Sequence, residues 1–394
     1  MTVVEGSAFI AAPLGGMTLA QLGAKVIRFD PIGGGLDYRR WPITASGTSL
    51  FWAGMNKGKQ SIQLDIRKPE GREIITALLS RPDPEAGLFL TNFPERGWLA
   101  FDELSKVRKD LIYVNVLGDR KGGSALDYTV NCAVGFTNAT GPANSDHPTN
   151  YLLPAWDNIT GQMAATALLA AERYRLRTGK GQIVRIALKD VALATAGHLG
   201  NISEVMVNNH DRERVGNYLY GAFGRDFVSK DGRRCMIVGL TGKQWSAIQT
   251  ATDTAQQFEA LTQKGIHTDT EGNRFANRQE IAAVLEPWFS KHDYGLIEEK
   301  FNQASVCYGP YRSFQEMVQE DPDCSSDNPL FESLEQPGIG SYLVPSSPIR
   351  FSESPNLPSL KSPVLGEHTD QILAEELGLS GTEIGRLHDA KIVA

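Results

Sequence analysis

The sequence predicts an α/β protein in which a large domain with a parallel sheet is joined to a smaller α+β domain. Its 394 residues exceed the usual size of a single hydrophobic core, so two domains are expected. Short apolar runs alternate with helical patterns in the N-terminal half, as in parallel sheets. From about Arg212 the pattern changes to paired strands and charged amphipathic segments. We therefore expect a large domain over residues 1–205 and a small domain over 215–325.

Helices and strands alternate in the first part of the chain. Apolar residues at helical spacing indicate helices, and continuous apolar runs indicate buried strands. Gly23 is typical of a helix C-terminus, and Pro69 is typical of a helix start. The expected elements are a helix over 17–22, a strand over 24–29, a strand over 61–65, a helix over about 69–79, and strands within 87–93 and 111–118.

The rest of the chain begins with a polar loop at about 137–149. It is followed by a nearly uncharged, alanine-rich helix over about 158–177, with Asp157 as its expected N-cap, and by a strand and a helix capped by Asp190. In the small domain two strands flank the turn at 230–232, before helical segments through Trp245, Ala282 and Leu296. Residues 326–394 contain antiparallel strands and two short helices joined by Gly378, and are expected to complete the large domain.

Composition excludes several classes of function. The net charge is −7, and the 39 basic residues are scattered, which argues against nucleic acid as the main partner. The four cysteines are far apart and the seven histidines form no metal-binding motif, so we expect a reducing compartment, no metal and no disulfides. Neither a signal peptide nor an apolar membrane-spanning stretch is evident, so a cytoplasmic location is expected.

Two features have both an ordinary and a functional interpretation. Basic residues in the first part of the chain are individually typical of a solvated surface, but together they could bind an anionic ligand with several phosphates. They are Arg39, Arg40, Lys57, Lys59, Arg67, Lys68, Arg96, Arg120 and Lys121. The stretch GNYLYGAFG, 216–224, is either a turn-rich entry to the small domain or a loop that closes over a site.

Several blocks in one order resemble the family III CoA-transferases, which include formyl-CoA transferase, carnitine CoA-transferases and α-methylacyl-CoA racemases. The resemblance covers nearly the whole chain. The blocks are APLGGMTLAQLGAKVIRFD, NKGKQSIQLDIRKPEG, TNFPERGW, KDLIYVNVLG, DNITGQMAATALLAAERYRLRTGKGQIVRIALKD and LGEHTDQIL. The resemblance implies a Rossmann-like large domain and an interlocked homodimer. It also implies an acyl-CoA substrate, with CoA part of the substrate and no tightly bound cofactor.

The resemblance also implies roles for particular residues. Asp157 matches the catalytic aspartate, Ala8, Phe9, Ile10 and Ala11 match the segment around the CoA thiol end, and Tyr220, Gly221, Ala222, Phe223 and Gly224 match the lid and oxyanion loop. The other residues that match CoA-binding blocks are Arg39, Lys57, Leu64, Arg67, Asn92, Phe93, Arg96 and Tyr128.

The implied reaction begins with attack of Asp157 on a thioester carbonyl. A carboxylate with an ordinary pKa of about 3.9 is ionised at neutral pH and needs no general base. The stretches at 3–42 and 216–227 are most similar to a family member that moves CoA within one dicarboxylic acid, mesaconate, from C1 to C4. The alternatives are transfer between separate acids, racemisation, and acyl-CoA binding without turnover. Racemases have a histidine where this chain has Leu126, which argues against proton exchange at an α-carbon.

Overall fold

The computed structural model describes all 394 residues and divides the chain into two compact units. The first unit contains residues 1–134, 152–203 and 322–394, and the second contains 135–151 and 204–321. The polar loop at 135–151 thus belongs to the second unit, although sequence analysis assigned it to the large domain. None of the helices is long and apolar enough to cross a lipid bilayer.

The chain contains 11 strands and 17 α-helices, which alternate mainly in the first part of the first unit. The strands are β1 (Thr2–Gly6), β2 (Lys25–Asp30), β3 (Gln60–Gln63), β4 (Leu88–Thr91), β5 (Ile112–Leu117), β6 (Gln182–Ala187), β7 (Phe223–Val228), β8 (Arg234–Gly239), β9 (Cys307–Pro310), β10 (Phe331–Gln336) and β11 (Gly340–Pro345). The helices are α1 (Ala11–Gln21), α2 (Leu50–Met55), α3 (Pro69–Ser80), α4 (Phe101–Val107), α5 (Asp127–Ala133), α6 (Phe136–Ala139), α7 (Ala155–Thr178), α8 (Leu188–His198), α9 (Asn201–Asn208), α10 (Gly242–Thr252), α11 (Ala255–Gln263), α12 (Glu271–Ala276), α13 (Arg278–Phe289), α14 (Tyr294–Ala304), α15 (Phe314–Glu320), α16 (Thr369–Leu377) and α17 (Gly381–Asp389).

A six-stranded parallel sheet forms the centre of the first unit, which confirms the predicted fold class. Its strand order is β3-β2-β1-β4-β5-β6, and Val3 of β1 lies between Val26 of β2 and Leu88 of β4. This is the Rossmann order, in which the direction of the connections reverses between β1 and β4. Ligands of such sheets bind beyond the carboxyl ends of the strands at this point, so the fold itself indicates where a site is expected.

Apolar side chains cover both faces of this sheet, as expected for parallel strands buried between helices. Alternate residues of one strand belong to different cores. In β1, Val3 packs in a core that includes residues of α1 and α7, whereas Val4 packs in a core that includes α3, α16 and α17. The apolar runs noted in the sequence are therefore strands with two buried faces.

Helix α1 begins at Ala11, six residues before the start expected from the sequence. Pro13, Gly15 and Gly16 disfavour a helix by propensity, but tertiary packing requires the glycines. A Cβ on Gly15 would lie 3.1 Å from the carbonyl oxygen of Gly161 in α7. Conversely, a Cβ on Gly161 of α7 would lie 2.7 Å from the carbonyl oxygen of Ala11 in α1. The small residues of both helices therefore let their backbones approach closely.

The N-terminus of α7 differs from the prediction. The helix starts at Ala155 and its N-cap is Pro154, so Asp157 lies inside the first turn and does not cap the helix. Asp190 likewise lies in the first turn of α8, whose N-cap is Ala187. Both carboxylates remain at the positive end of a helix dipole, where negative charge is favoured.

The C-terminal segment packs along the outer edge of β3. The backbone N–H of Ser61 donates to Nδ1 of His368 at 3.2 Å, and the N–H of His368 donates to the carbonyl oxygen of Ser61 at 3.0 Å. Leu64 and Val393 add an antiparallel bridge. The segment thus covers an edge that would otherwise expose unpaired backbone groups. The β10–β11 hairpin and the helices separated by Gly378 were predicted correctly.

The second unit contains a three-stranded antiparallel sheet, ordered β7-β8-β9, with helices α10–α14. Strands β7 and β8 flank the predicted turn at 230–232. The core is rich in aromatic residues, and the rings of Phe227 and Phe289 stack with centroids 4.4 Å apart. Trp245 and Ala282 are buried in α10 and α13 as the amphipathic pattern indicated.

Candidate active site

A cavity of about 320 Å³ opens beyond the carboxyl ends of the parallel strands. Its walls come from segments that follow β1 and β4, from the end of β5 and from the N-terminal parts of α5, α7 and α8, all within the first unit. The lining residues are Ala8, Phe9, Ile10, Ala11, Arg40, Asn92, Val116, Leu117, Gly118, Ala125, Leu126, Asp127, Tyr128, Asp157 and Leu188. We call this cavity the Asp157 pocket; it lies where the strand order reverses, as the fold leads us to expect.

The wall after β1 is held by side chains from neighbouring segments. The side-chain oxygen of Asn92 accepts a hydrogen bond from the N–H of Ala8 at 2.9 Å, and its amide nitrogen donates one to the carbonyl oxygen of Ala8 at 2.7 Å. The N–H of Phe9 donates to both carboxylate oxygens of Asp37 at 2.9 Å. Phe9 has a φ of 68°, a region that non-glycine residues rarely adopt. These bonds offset the local strain and fix the Phe9 backbone at the pocket.

Asp37 in turn belongs to a buried charge network, which we call the Arg28 network. Arg28 forms two bonds of 2.9 Å with Asp30 and one of 3.2 Å with Asp37, and Lys59 bonds to Glu5 at 2.8 Å. Glu5, Arg28, Asp30, Asp37 and Lys59 are each at most 3% exposed. Burial raises the pKa of Asp37, and the charge of Arg28 opposes that rise.

Asp157 lies in the first turn of α7 with its side chain partly exposed to the pocket. Its carboxylate accepts no hydrogen bond from the chain, while its backbone N–H donates to Oδ2 of Asp127 at 2.9 Å. An unbonded carboxylate oxygen in a cavity keeps its lone pairs available for attack on a bound carbonyl carbon. This geometry suits a nucleophile better than a structural cap.

Asp127 performs the capping that the sequence assigned to Asp157. It is the first residue of α5, is 3% exposed, and accepts the backbone N–H groups of Trp156 and Asp157 in the first turn of α7. A carboxylate at that position satisfies helix N–H groups that have no partner within the helix. Asp127 therefore fixes the start of α7 and puts a second negative charge beside Asp157.

The electrostatics of the pocket correct the expectation that Asp157 has an ordinary pKa. Burial and then the charge of Asp127 raise the pKa of Asp157 to about 7, and the positive charge of Arg40 opposes this rise. Burial also raises the pKa of Asp127. In the free protein Asp157 is consequently only partly ionised at neutral pH, so its reactivity depends on what enters the pocket.

Among the residues predicted to bind CoA, several lie at this pocket. Ala8–Ala11, Asn92 and Tyr128 line it, and the hydroxyl of Tyr128 donates to the carbonyl oxygen of Leu152 at 3.4 Å. Their contact with CoA stays a prediction. Leu126, at the position of the racemase histidine, also lines the pocket and is 59% exposed.

The other predicted CoA-binding residues do not line this pocket. Arg39, Arg67 and Arg96 are exposed, and Arg67 pairs with Asp65 at 2.8 Å. Lys57 is buried and donates to the carbonyl oxygen of Gly54, and burial lowers the pKa of its ammonium group to about 8.

Two apolar members of that set pack in the first unit. The Leu64 side chain is fully buried in a core, so it cannot contact a ligand in this conformation. Phe93 packs against the same core, with its ring edge to face against Phe29.

The predicted lid loop belongs to the second unit. Its side chains differ in accessibility: Ala222 and Phe223 are buried, whereas Tyr220 is 39% exposed. Phe223 starts β7 and packs edge to face against Trp245, so its side chain is a core residue and does not form a cover. Tyr220 donates its hydroxyl to Glu204 at 2.5 Å. The role of the loop itself stays a prediction.

Sequence reasoning assigned no site role to two charged residues of the pocket. Arg40 was noted only as one of several basic residues, and its neighbour Arg39 was chosen in its place. Asp127 follows Leu126 directly, and the resemblance assigns it no role. No local pattern distinguishes adjacent arginines, because which one faces the pocket depends on the turn at Leu36–Arg39. The one available signal for Asp127 was a lone acidic residue at the start of a helix.

Known proteins share both the sequence pattern and the fold. The family model described as CoA-transferase family III matches residues 1–369. The chain is 60% identical to 2-methylfumaryl-CoA isomerase of Chloroflexus aurantiacus, over 100% of this chain and 97% of that protein. It is 27% identical to succinyl-CoA–D-citramalate CoA-transferase of the same organism, over 99% of this chain and 96% of that protein.

The solved structures agree with these relatives. A CAIB/BAIF family protein from Brucella suis superposes with a TM-score of 0.78 at 25% identity, covering 95% of this chain and 98% of that chain. The matched residues include the whole Rossmann sheet and the Asp157 pocket. By sequence and by fold, the chain belongs to CoA-transferase family III.

Proposed function

We propose that the protein isomerises a dicarboxylic acyl-CoA by moving CoA between its two carboxyl groups, converting mesaconyl-C1-CoA to mesaconyl-C4-CoA. The observation that carries this proposal is the 60% identity, over the full chain, to an enzyme named 2-methylfumaryl-CoA isomerase. The unbonded carboxylate of Asp157 in an otherwise largely apolar pocket supports it.

The reaction starts when the Asp157 carboxylate attacks the thioester carbonyl at C1. The C–S bond breaks, giving an aspartyl–mesaconyl anhydride and CoA thiolate. The thiolate attacks the aspartyl carbonyl, which releases the C1 carboxylate and leaves an Asp157–CoA thioester. The free C4 carboxylate then repeats these steps in reverse and departs as the new thioester. Each step exchanges one acyl bond for another, so no net proton transfer is required.

Retaining the acid is what makes the net reaction an isomerisation. An acid that stays in the pocket meets the aspartyl thioester at a high effective concentration, so no second acid needs to enter. A cavity of about 320 Å³ is at the lower end of the range for small-molecule sites and suits a short acid. Leu126, which cannot act as a base, argues against racemisation at the same site.

Two experiments on the wild-type protein test the proposal. After brief incubation with mesaconyl-C1-CoA, mass spectrometry of peptides should find CoA attached to Asp157. When isotope-labelled free mesaconate is added during turnover, the mesaconyl-C4-CoA formed should remain unlabelled. Label in the product would mean transfer between separate acids, and isomerisation without any adduct at Asp157 would exclude the covalent route.

We also propose that the protein acts as a homodimer in the cytoplasm. Large apolar side chains are exposed on three successive helical segments of the first unit, among them Leu176 of α7, Leu193 of α8 and Ile202 of α9. Exposed apolar surface of this kind is typical of protein interfaces. The scattered free cysteines suit a reducing compartment. Light scattering coupled to gel filtration should give twice the mass of one chain.

A further inference from the structure

Arg40 is the one cationic side chain that lines the Asp157 pocket. The same wall carries two carboxylates, Asp127 and Asp157. A dicarboxylic acyl-CoA adds a third. When transfer releases a second carboxylate on the acid, Asp157 has become a neutral thioester, so the pocket still holds three carboxylates. Without a positive charge, these groups would repel one another in a partly buried space. The pocket therefore contains a single group able to offset the charge of a substrate carboxylate.

The main chain of Arg40 is fixed from both sides. Its N–H donates to the carbonyl oxygen of Asp37 at 3.2 Å, and its carbonyl oxygen accepts the hydroxyl of Ser49 at 2.5 Å. Ser49 itself is held at the N-cap of α2, where it accepts the N–H of Trp52 at 3.0 Å. The origin of the Arg40 side chain is therefore determined by the fold, although the side chain is exposed.

No carboxylate of the chain lies within ion-pair distance of the guanidinium group of Arg40, although its charge lowers the pKa of Asp157. The guanidinium group lies over the rings of Phe9 and Phe51, at 5.5 and 5.2 Å from their centroids, and forms no ion pair or side-chain hydrogen bond. In contrast, Arg28 and Arg67 are paired with carboxylates. Stacking on two rings orients the plane of the group and leaves its N–H donors free.

We propose that Arg40 is the specificity-determining residue that binds whichever substrate carboxylate is not at Asp157. The inference rests on the proposed function, because it presumes an acyl-CoA with a second carboxylate. A guanidinium group binds a carboxylate with two parallel hydrogen bonds. In the starting complex Arg40 binds the C4 carboxylate, and after transfer it binds the C1 carboxylate. It also holds the released acid while CoA is attached to Asp157.

The test compares two thioesters that differ only at the second carboxylate. In tiglyl-CoA a methyl group replaces the C4 carboxylate of mesaconyl-C1-CoA. Intact-protein mass spectrometry in single turnovers measures the rate of CoA attachment to Asp157. The rates are measured at about pH 8.5, so that Asp157 is ionised whether or not Arg40 is present.

Arg40→Met keeps the apolar contact with Phe9 and Phe51 and removes the charge. We expect it to slow attachment from mesaconyl-C1-CoA by about 10–100-fold, the effect of one lost charged hydrogen bond. The rate with tiglyl-CoA should not change. Free mesaconate should also escape into solution during turnover of this variant. Arg40→Lys should restore part of the preference for mesaconyl-C1-CoA over tiglyl-CoA. Arg386→Met, at an exposed arginine of α17, is the matched control and should alter neither rate.

Two results would overturn the inference in distinguishable ways. In the first, Arg40→Met slows CoA attachment equally with both thioesters, or Arg40→Met and Arg40→Lys both keep the full wild-type preference for mesaconyl-C1-CoA over tiglyl-CoA. Arg40 then does not recognise the second carboxylate, although the proposed function stands. If the wild type attaches CoA to Asp157 with neither thioester, the proposed function fails and this inference fails with it.

Discussion

The Arg28 network and the Asp157 pocket lie in the same unit, and both collect carboxylates, but they treat them in opposite ways. In the network, three carboxylates surround Arg28 and Lys59 and are joined by hydrogen bonds of about 3 Å. In the pocket, Asp157 lies beside Asp127 and its carboxylate has no hydrogen bond. Paired carboxylates fix a backbone, whereas an unpaired one keeps its oxygens accessible at a cost in stability.

The two regions are also connected through Asp37. This residue bonds to Arg28 on one side and to the N–H of Phe9 on the other. The network therefore supports one wall of the pocket at a residue with a strained backbone. The rigid, charge-paired Arg28 network thus allows the less stable arrangement of carboxylates in the Asp157 pocket to persist next to it.

The largest effect should come from removing the reactive carboxylate. Asp157→Asn has nearly the same size but cannot form an anhydride, so we expect turnover to fall by about 10³-fold or more. Steady-state assays with mesaconyl-C1-CoA measure this loss, and CoA binding by calorimetry should be unchanged. Turnover near the wild-type rate would contradict the assignment of Asp157 as nucleophile.

Breaking the network should affect stability strongly. Arg28→Met leaves Glu5, Asp30 and Asp37 without their shared cation, and such a loss typically costs about 3–5 kcal/mol. Urea unfolding followed by circular dichroism gives the difference. Lys106→Met breaks an exposed ion pair with Glu103 and should cost less than about 1 kcal/mol. Equal effects of the two substitutions would mean that the buried Arg28 network stabilises the fold no more than an exposed ion pair.

In the Asp157 pocket, removing a charged side chain should stabilise the protein instead of destabilising it. Because the pKa of Asp157 is raised to about 7, the folded state holds its proton more tightly than the unfolded chain does. The resulting stabilisation is complete below about pH 4 and is lost as the pH rises through about 7. Asp157→Asn should therefore increase the free energy of unfolding at pH 8 by up to about 4 kcal/mol, because about three pKa units separate the folded from the unfolded carboxyl group at about 1.4 kcal/mol each.

This gain should shrink towards pH 4, where Asp157 is protonated in the folded state and about half protonated in the unfolded chain. Urea unfolding of both proteins across pH 4–8 measures it. A gain that is the same at every pH would have to come from something other than ionisation of Asp157.

The smallest effect concerns the neighbouring charge. Asp127→Asn keeps an oxygen that can accept the N–H of Asp157 but removes the negative charge that helps raise the pKa of Asp157. In the wild type, kcat/KM should increase with pH through about 7 as Asp157 ionises. In the variant this increase should occur about one pH unit lower. An unchanged pH profile would mean that burial alone sets the pKa.

Much of the fold was predictable because its elements carry local signals. The apolar runs at 87–93 and 111–118 became β4 and β5, Pro69 begins α3, and the turn at 230–232 separates β7 from β8. These signals depend on side-chain periodicity and backbone preference within a few residues. The predicted start of α1 was wrong, because the glycines that argue against a helix are required by close contacts, Gly15 with α7 and Gly16 with the side chain of Glu5.

The sequence by itself determined the class of fold and singled out Asp157 through blocks that span the chain. Only the tertiary structure decided that Asp127 caps α7, that Arg40 rather than Arg39 faces the pocket, and that Asp157 has a pKa near 7. The physical reason is the distance along the chain over which each interaction acts. Helix and strand preferences act between near neighbours in the chain, whereas burial and charge act between residues that only folding brings together.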